Sequence, residues 1–467
     1  MMTTSTASPK GKYVIENWTP EDPEKWDSKR AWTTLWTTTF ALFLGFMVWY
    51  MVSVVAPMLQ NAQVVDKNQA FWLAAMPGLA GGILRLVWMF LPPIMGTRNM
   101  VLWSSVALLV PMIGWMWLLM MPLSTLNNSF ALMMILAFLT GIGGGIFSGY
   151  MPSTSYFFPK SRQGTALGLQ AGLGNFGVSV VQLLTPILVA VTMFGGSKVI
   201  PKTKAPNATF LQTPPAFIIV LLIIAIVLSA IFLKSVPIHA NFRQQIDIFG
   251  NKHTWLMTVI YLLTFGCFSG LAGTMALMLN QMVPHVPTIA WLGGTTIAFL
   301  GAFTGSMSRV IWGPLCDKFG GGIWTLVASI GIGISAIIVI IALKGATMIP
   351  VDQLAQGQVA KCQVSLPLFL TGMLLLFFFA GVGNASTFKQ MPMIFPPRQA
   401  GGVIGWTAAI AAFGPFIFSF TMNTLSGTSG NFGQKIIPVF VVVVILAAIC
   451  AVIDWWFYTR RGAEAKS

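Results

Sequence analysis

The sequence predicts an all-α membrane protein, with twelve transmembrane helices in two pseudo-symmetric six-helix halves. Three observations carry the prediction. Hydrophobic residues make up 56 % of the chain and charged residues only 8 %. A soluble domain carries roughly 25 % charged residues, so a water-facing surface cannot be assembled from this chain. No Asp, Glu, Lys or Arg occurs from Ala31 to Val65 or from Asn99 to Pro159, and a spanning helix needs ~20 mostly apolar residues. Finally, the second half of the chain repeats landmarks of the first.

Residues 1–31 form a polar tail, with five basic and five acidic residues before Ala31. The apolar run that follows is too long for the core of a secretory signal. Length and punctuation then place spans at 32–58, 70–94, 100–121, 129–157, 164–191, 215–233, 254–279, 289–313, 323–343, 366–394, 402–424 and 436–458. Their connections are short and rich in Gly, Pro, Asn and Lys. The polar stretch 234–253 separates a first half, 32–233, from a second, 254–459, and 460–467 is a closing tail.

The repeat is visible in particular residues. Span 2 carries Arg85 and span 8 carries Arg309. Span 4 reads Gly141-Ile-Gly143, then Met151-Pro152 and Phe157-Phe158-Pro159. Span 10 reads Gly381-Val-Gly383, then Met391-Pro392 and Phe395-Pro396. A basic loop and a Gly-rich helix follow each. Two related six-helix halves resemble the architecture of major facilitator transporters, whose substrate site lies at mid-membrane between the halves. The loop Gly313-Pro-Leu-Cys-Asp317-Lys318-Phe-Gly320 is similar to the signature loop of those carriers, with Asp317 expected to latch helix ends. Its first-half counterpart, Gly96-Thr-Arg98-Asn99, lacks the acid.

The net charge of +15 sets orientation rather than nucleic-acid binding, because no basic stripe has a fold to carry it. With both termini inside, inner loops and tails hold sixteen Lys and Arg and outer loops hold seven. The positive-inside rule then places both termini in the cytoplasm. The outer cluster Lys198, Lys202 and Lys204 runs against the rule, either as a solvated loop or as a lure for anions.

Three basic residues remain, all within predicted spans: Arg85, Arg309 and Lys389. A charge at membrane depth costs several kcal/mol and usually faces a cavity or partner. Of the eleven acidic residues, only Asp454 falls within a span, near its end. Carboxylates therefore cannot neutralise the three cations, and an anionic substrate is the remaining counter-ion. Snorkelling to an interface is the competing account. It fits Arg309, expected near the inner end of its span, better than Arg85, and Lys389 is expected deep in span 10.

Gly164, Gly168 and Gly172 recur every fourth residue in span 5, a spacing that permits close helix packing. Asn175 follows them, and a buried amide needs partners. Phe147, Tyr261 and Phe265 neighbour Gly-rich or polar positions at mid-span. His239, His253 and His285 show no metal-ligand spacing, and the four cysteines show neither a disulfide framework nor a metal site. There is no phosphate-binding loop for ATP, and nothing suggests an enzyme: paired carboxylates, metal clusters and activated nucleophiles are all missing from the spans.

Several runs together resemble the nitrate/nitrite porter family of the major facilitator superfamily, over nearly the whole length. They are Asn17-Trp-Thr-Pro-Glu-Asp-Pro-Glu-Lys-Trp26, Ala171-Gly-Leu-Gly-Asn175-Phe-Gly-Val-Ser179 and Ala380-Gly-Val-Gly-Asn384-Ala-Ser-Thr-Phe388. The resemblance implies that Arg85 and Arg309 grip nitrate, that Asn175 and Tyr261 add hydrogen bonds, and that Phe147 and Phe265 flank the planar anion, with Gly172 in the same signature. A planar guanidinium suits a planar oxyanion. Two departures bear on coupling. Ala411 and Pro415 stand where exchangers of the family often carry Gly, and Lys389 stands where they often carry Gln.

The expected function is nitrate import by alternating access, in exchange for nitrite, in a bacterial inner membrane and serving nitrate assimilation. Nitrate, nitrite and membrane lipid are the expected partners, with no nucleic acid, no cofactor and a monomeric working unit. Proton-coupled symport through Lys389 is the alternative. A carrier for another small oxyanion or organic acid is the next. An anion channel fits less well, since no pore-lining ring recurs.

Overall fold

The charge-free runs fold into helices long enough to cross a bilayer. The computed structural model describes residues 13–191, 210–237, 246–282, 296–350, 362–427 and 430–467, the side chains of 397 and 398 excepted. Lys198, Lys202, Lys204, Lys361, Arg243, His239 and His285 lie outside the described residues, as does 238–245 of the central stretch.

Eleven described helices have the length and apolarity of a membrane span. In the first half these are α1 (Ser28–Asn61), α2 (Lys67–Trp88), α3 (Leu91–Leu119), α4 (Phe130–Ser155), α5 (Lys160–Leu188) and α6 (Thr213–Phe232). The second half has α7 (Lys252–Met282), α9 (Gly321–Lys344), α10 (Leu366–Ile394), α11 (Gln399–Ser426) and α12 (Phe432–Thr459). Between α7 and α9 runs α8 (Phe299–Phe319). It is less apolar because Arg309 and hydroxyl residues interrupt it, and with it the described residues hold twelve spans, the number the sequence predicts. A two-residue antiparallel pair, Thr347–Met348 with Cys362–Gln363, is the only sheet among the described residues.

The eighth span, predicted at 289–313, ends later than predicted; positions 289–295 lie outside the described residues. The sequence reading ended it at Gly313-Pro314, but Pro314 lies inside α8 and the helix runs on to Phe319. Helical Pro is tolerated where neighbouring helices satisfy the freed backbone. The reversal falls at Gly320 (φ 88°, ψ 158°). The first half turns the same way, at Gly96 (φ 70°, ψ 162°). Both positions require the left-handed region that glycine alone adopts readily. Arg309 is therefore central in α8, ten residues from each end, and not near an end as expected.

Glycines set how closely helices cross. Gly164 faces the Asp317 carboxylate, Gly168 the backbone of Gly313, and Gly172 the side chain of Val310. The predicted stripe on α5 thus packs against α8, across the boundary between the halves. A single apolar core runs through both halves. A separate small cluster gathers Trp18, Trp26 and Trp32 around Phe157 and Phe158.

At the end of the bundle away from the termini the halves are sewn together. Asn280 and Gln281 both donate to Gln60 Oε1 (3.2 and 3.0 Å). Lys67 Nζ donates to the Gly427 carbonyl (2.7 Å), and deeper in, toward Arg85, Tyr50 donates to that of Ser269 (3.0 Å). At the terminus-bearing end they part around a cavity of about 730 Å³ that reaches in to Arg309 and Phe388.

Candidate anion site between the two halves

Arg85 and Arg309 are both fully buried. They meet over one ring: their guanidinium carbons lie 4.6 and 6.0 Å from the centroid of Phe147. The two charges are therefore no further apart than those distances laid end to end. At that range and an effective dielectric of about 20, two like charges repel by at least roughly 1–2 kcal/mol unless something neutralises them.

Aromatic rings wall the pair. Arg85 also lies against Phe265 (4.9 Å) and Trp49 (5.3 Å), and Arg309 against Phe388 (4.8 Å). Phe147 stacks on Phe265 at 6.2 Å. Tyr261 and Phe265 are nearly parallel, 5.5 Å apart with 2° between their planes. The two residues are four apart, on one face of the helix, and α7 passes there through a π-turn at Leu262–Gly266, a feature that often marks functional sites. Tyr261 lies within electrostatic reach of both arginines, with its hydroxyl nearest Arg309, though no hydrogen bond of good geometry joins that hydroxyl to any described residue.

The two arginines differ in how they are held. The Gly-rich part of α4, interrupted at Gly141 and Ile146, turns the Gly144 carbonyl to Arg85 Nε (2.9 Å). Arg85 Nη1 crosses to the second half and donates to the Ala408 carbonyl (2.7 Å). Only Nη2 is left without a partner, whereas Arg309 has none for Nε, Nη1 or Nη2 among the described residues. Buried donors are nearly always satisfied, and a hydrogen bond to a charged group contributes about 1.5–3 kcal/mol. Four buried cationic N atoms without a protein acceptor make a site suited to a small oxyanion.

Of the other predicted site residues, Asn175 is buried with both amide atoms unpartnered. It stands one helical turn beyond Gly172, level with the turn of α8 that precedes Arg309. Gly172 packs on Val310, next to Arg309 in sequence, and lets α5 approach that turn.

Lys389 is not deep in the membrane core as expected. Its side chain is 31 % exposed and pairs with Asp317 at 2.8 Å. It lines the cavity nearer the opening than Arg309. The expectation that no carboxylate partners a cation in the spans therefore holds for the two arginines and fails for Lys389. Asp317 belongs to the last turn of α8 rather than to a loop, and so reaches α10. Asp454 is fully buried and bonded to Gln390 (3.0 Å) and Thr459 (2.7 Å).

Sequence reasoning missed Trp49 and Phe388 as site residues. Phe388 closes the span 10 run that also holds Asn384, so proximity to that signature was an available signal. Trp49 offered none, since aromatics are common in every span. Asn384, a second buried amide without partners, was quoted only as part of that run.

The Major Facilitator Superfamily profile matches residues 38–354. A probable nitrate/nitrite antiporter, NarK2, of Thermus thermophilus is 46 % identical over 98 % of this chain and 99 % of its own. The nitrate/nitrite transporter NarU of Escherichia coli is 29 % identical over 97 % of this chain and 98 % of its own. Among solved structures, a D-xylose-proton symporter superposes with a TM-score of 0.65 at 14 % identity, covering 91 % of this chain and 97 % of that one, which speaks for the fold alone. With matching landmarks in its halves and two arginines between them, this chain belongs to the nitrate/nitrite porter family of the major facilitator superfamily.

Proposed function

We propose that this chain moves nitrate and nitrite across a bacterial inner membrane by alternating access, importing nitrate in exchange for nitrite. The observation that carries the reading is the pair of buried guanidiniums over Phe147, with four N atoms lacking protein acceptors. A planar anion accepts from both forks at once, and the rings above and below favour its flat shape over a tetrahedral one. The relatives' printed names point to the same substrates.

The mechanism follows from charge. Without an anion, mutual repulsion of Arg85 and Arg309 opposes closure of the halves. With nitrate between them the site is neutralised, the halves swing, and nitrite binds for the return. Arg85 already bonds both halves, so it serves as the fixed jaw and Arg309 as the closing one. With both termini in the cytoplasm, the cavity is the inward vestibule and the bonds around Gln60 seal the outer side. No step requires a titrating group at the arginines.

Lys389 supports a second reading, proton-coupled symport, because it lines the cavity and pairs there with the Asp317 carboxylate. Nitrate uptake into proteoliposomes separates the two readings. Vesicles are preloaded with nitrite or left empty, with and without an inward proton gradient. Uptake that requires internal nitrite and ignores the gradient is the expected result. Gradient-driven uptake into empty vesicles would replace exchange with symport. Absence of nitrate uptake in every condition would remove the substrate assignment.

A further inference from the structure

The polar tail ahead of α1 is built onto the protein rather than trailing from it. Trp18 Nε1 donates to the Tyr156 carbonyl (3.0 Å) and Trp26 Nε1 to that of Phe157 (2.9 Å). Their rings pack on Phe157 and Phe158. Glu21 Oε1 accepts from the backbone N–H of Lys160 (3.0 Å), at the start of α5. Further back, Tyr13 and Ile15 exchange backbone hydrogen bonds with Ser235 (2.8 and 2.9 Å). Every one of these partners belongs to the first half or to the segment just after α6, so the tail is a strap that moves with that half.

The strap also borders the substrate cavity. Glu16, Trp18 and Glu21 line one wall, and Asp317, Lys389 and Met393 line the facing wall. Among the described residues, the charged side chains around the cavity are three bases, Lys160, Arg309 and Lys389, and three acids, Glu16, Glu21 and Asp317. Two of the three acids come from the strap, and both are exposed. Without them the vestibule would hold three cations against one carboxylate. A cleft of one sign between low-dielectric walls concentrates counter-ions, so an anion leaving Arg309 would linger there.

We propose that residues 13–27 form a fixed wall of the anion's path, and that Glu16 and Glu21 neutralise the vestibule so that nitrate leaves it quickly. This rests on the anion-carrier reading, though not on exchange over symport.

The test is the double variant Glu16→Gln/Glu21→Gln. Glu21→Gln keeps an acceptor for Lys160 N–H, so the strap stays docked. Nitrate KM and maximal flux are measured from each side, in right-side-out and inside-out vesicles, at low salt and at high salt. At low ionic strength, KM on the terminus-bearing side falls about 3- to 10-fold and maximal flux falls with it, while KM on the other side is unchanged. At about 0.5 M salt the difference closes to under about twofold, because the screening length shrinks to a few Å. The conservative variant Glu16→Asp/Glu21→Asp stays within about twofold of wild type. Equal KM values for wild type and the Gln variant at low salt would overturn the proposal. So would a change that persists at high salt, which would make the strap a packing element only. A wild type that moves no nitrate would instead fail the carrier reading itself.

Discussion

The two halves share a frame and use it differently. Arg85 and Arg309 each stand eleven residues before the glycine of positive φ that ends their hairpin, Gly96 and Gly320. The repeat therefore delivers two cations to matching heights. Their surroundings diverge. Arg85 is fastened by two carbonyls and three rings, whereas Arg309 has an aromatic wall and no hydrogen bond from its three side-chain N atoms among the described residues. The lesson is that symmetry supplies position and local bonding supplies the division of labour. The buried polar networks diverge as well. The first half joins Thr38, Thr154 and Gln170 without a charge. The second runs from Thr325 through Gln390 to the Asp454 carboxylate.

Charge-retaining substitutions break the comparison most directly. Arg309→Lys exchanges three unpartnered guanidinium N atoms for one ammonium that cannot grip an oxyanion with two prongs, so kcat/KM for nitrate is expected to fall about 100-fold or more. Arg85→Lys removes one such N atom together with the tether to Ala408, and a fall of about 10- to 50-fold is expected. Sided uptake kinetics on both variants read the difference. Equal losses would show that the tether on Arg85 has no part in dividing the roles.

The two buried amides offer the next contrast. Asn175→Ala is expected to raise nitrate KM about 10-fold, by removing one hydrogen bond to an anion. Asn384→Ala tests whether the second half offers a matching donor. A similar rise would make the amide pair as symmetric as the arginine pair, and an unchanged KM would confine the role to α5.

Lys389→Gln is expected to leave nitrate/nitrite exchange within about threefold of wild type and insensitive to a proton gradient, since a partly exposed ion pair contributes about 0–1 kcal/mol. Collapse of uptake, or loss of a pH dependence present in wild type, would move Lys389 into the coupling machinery. The smallest effects concern the α5 stripe. Gly172→Ala drives a methyl into Val310, whereas Gly168→Ala places one 4.0 Å from Gly313 Cα, an ordinary contact. Thermal unfolding in detergent should show a drop of several degrees for the first and under about one degree for the second. Equal midpoints would mean that α5 and α8 part freely at Gly172.

Much of the fold was legible because spanning a bilayer is a one-dimensional constraint. The sequence places span 10 at 366–394, where α10 runs, since Pro and Ser punctuate its start and Phe395-Pro396 its end. Span 8 was misplaced because Gly313-Pro314 reads as a break, and only the packing of α8 against α5 and α10 shows that the helix continues to Asp317. The arginines were legible for the same reason as the spans: an unpaired cation inside an apolar run stands out in any sequence.

By itself, then, the sequence determined the number of spans, the repeat, and the two cations without carboxylate partners, because hydropathy and charge are properties of position along the chain. The tertiary structure decided the rest. It brought Arg85 and Arg309 onto one ring from helices more than 200 residues apart, and it placed beside Tyr261 and Phe265 a π-turn that no residue pattern announces. It also drew Lys389 away from the arginines to Asp317, and placed two tail carboxylates on the wall of the vestibule. Those outcomes depend on which helix faces meet across the boundary between the halves, and meeting is set by packing rather than by composition.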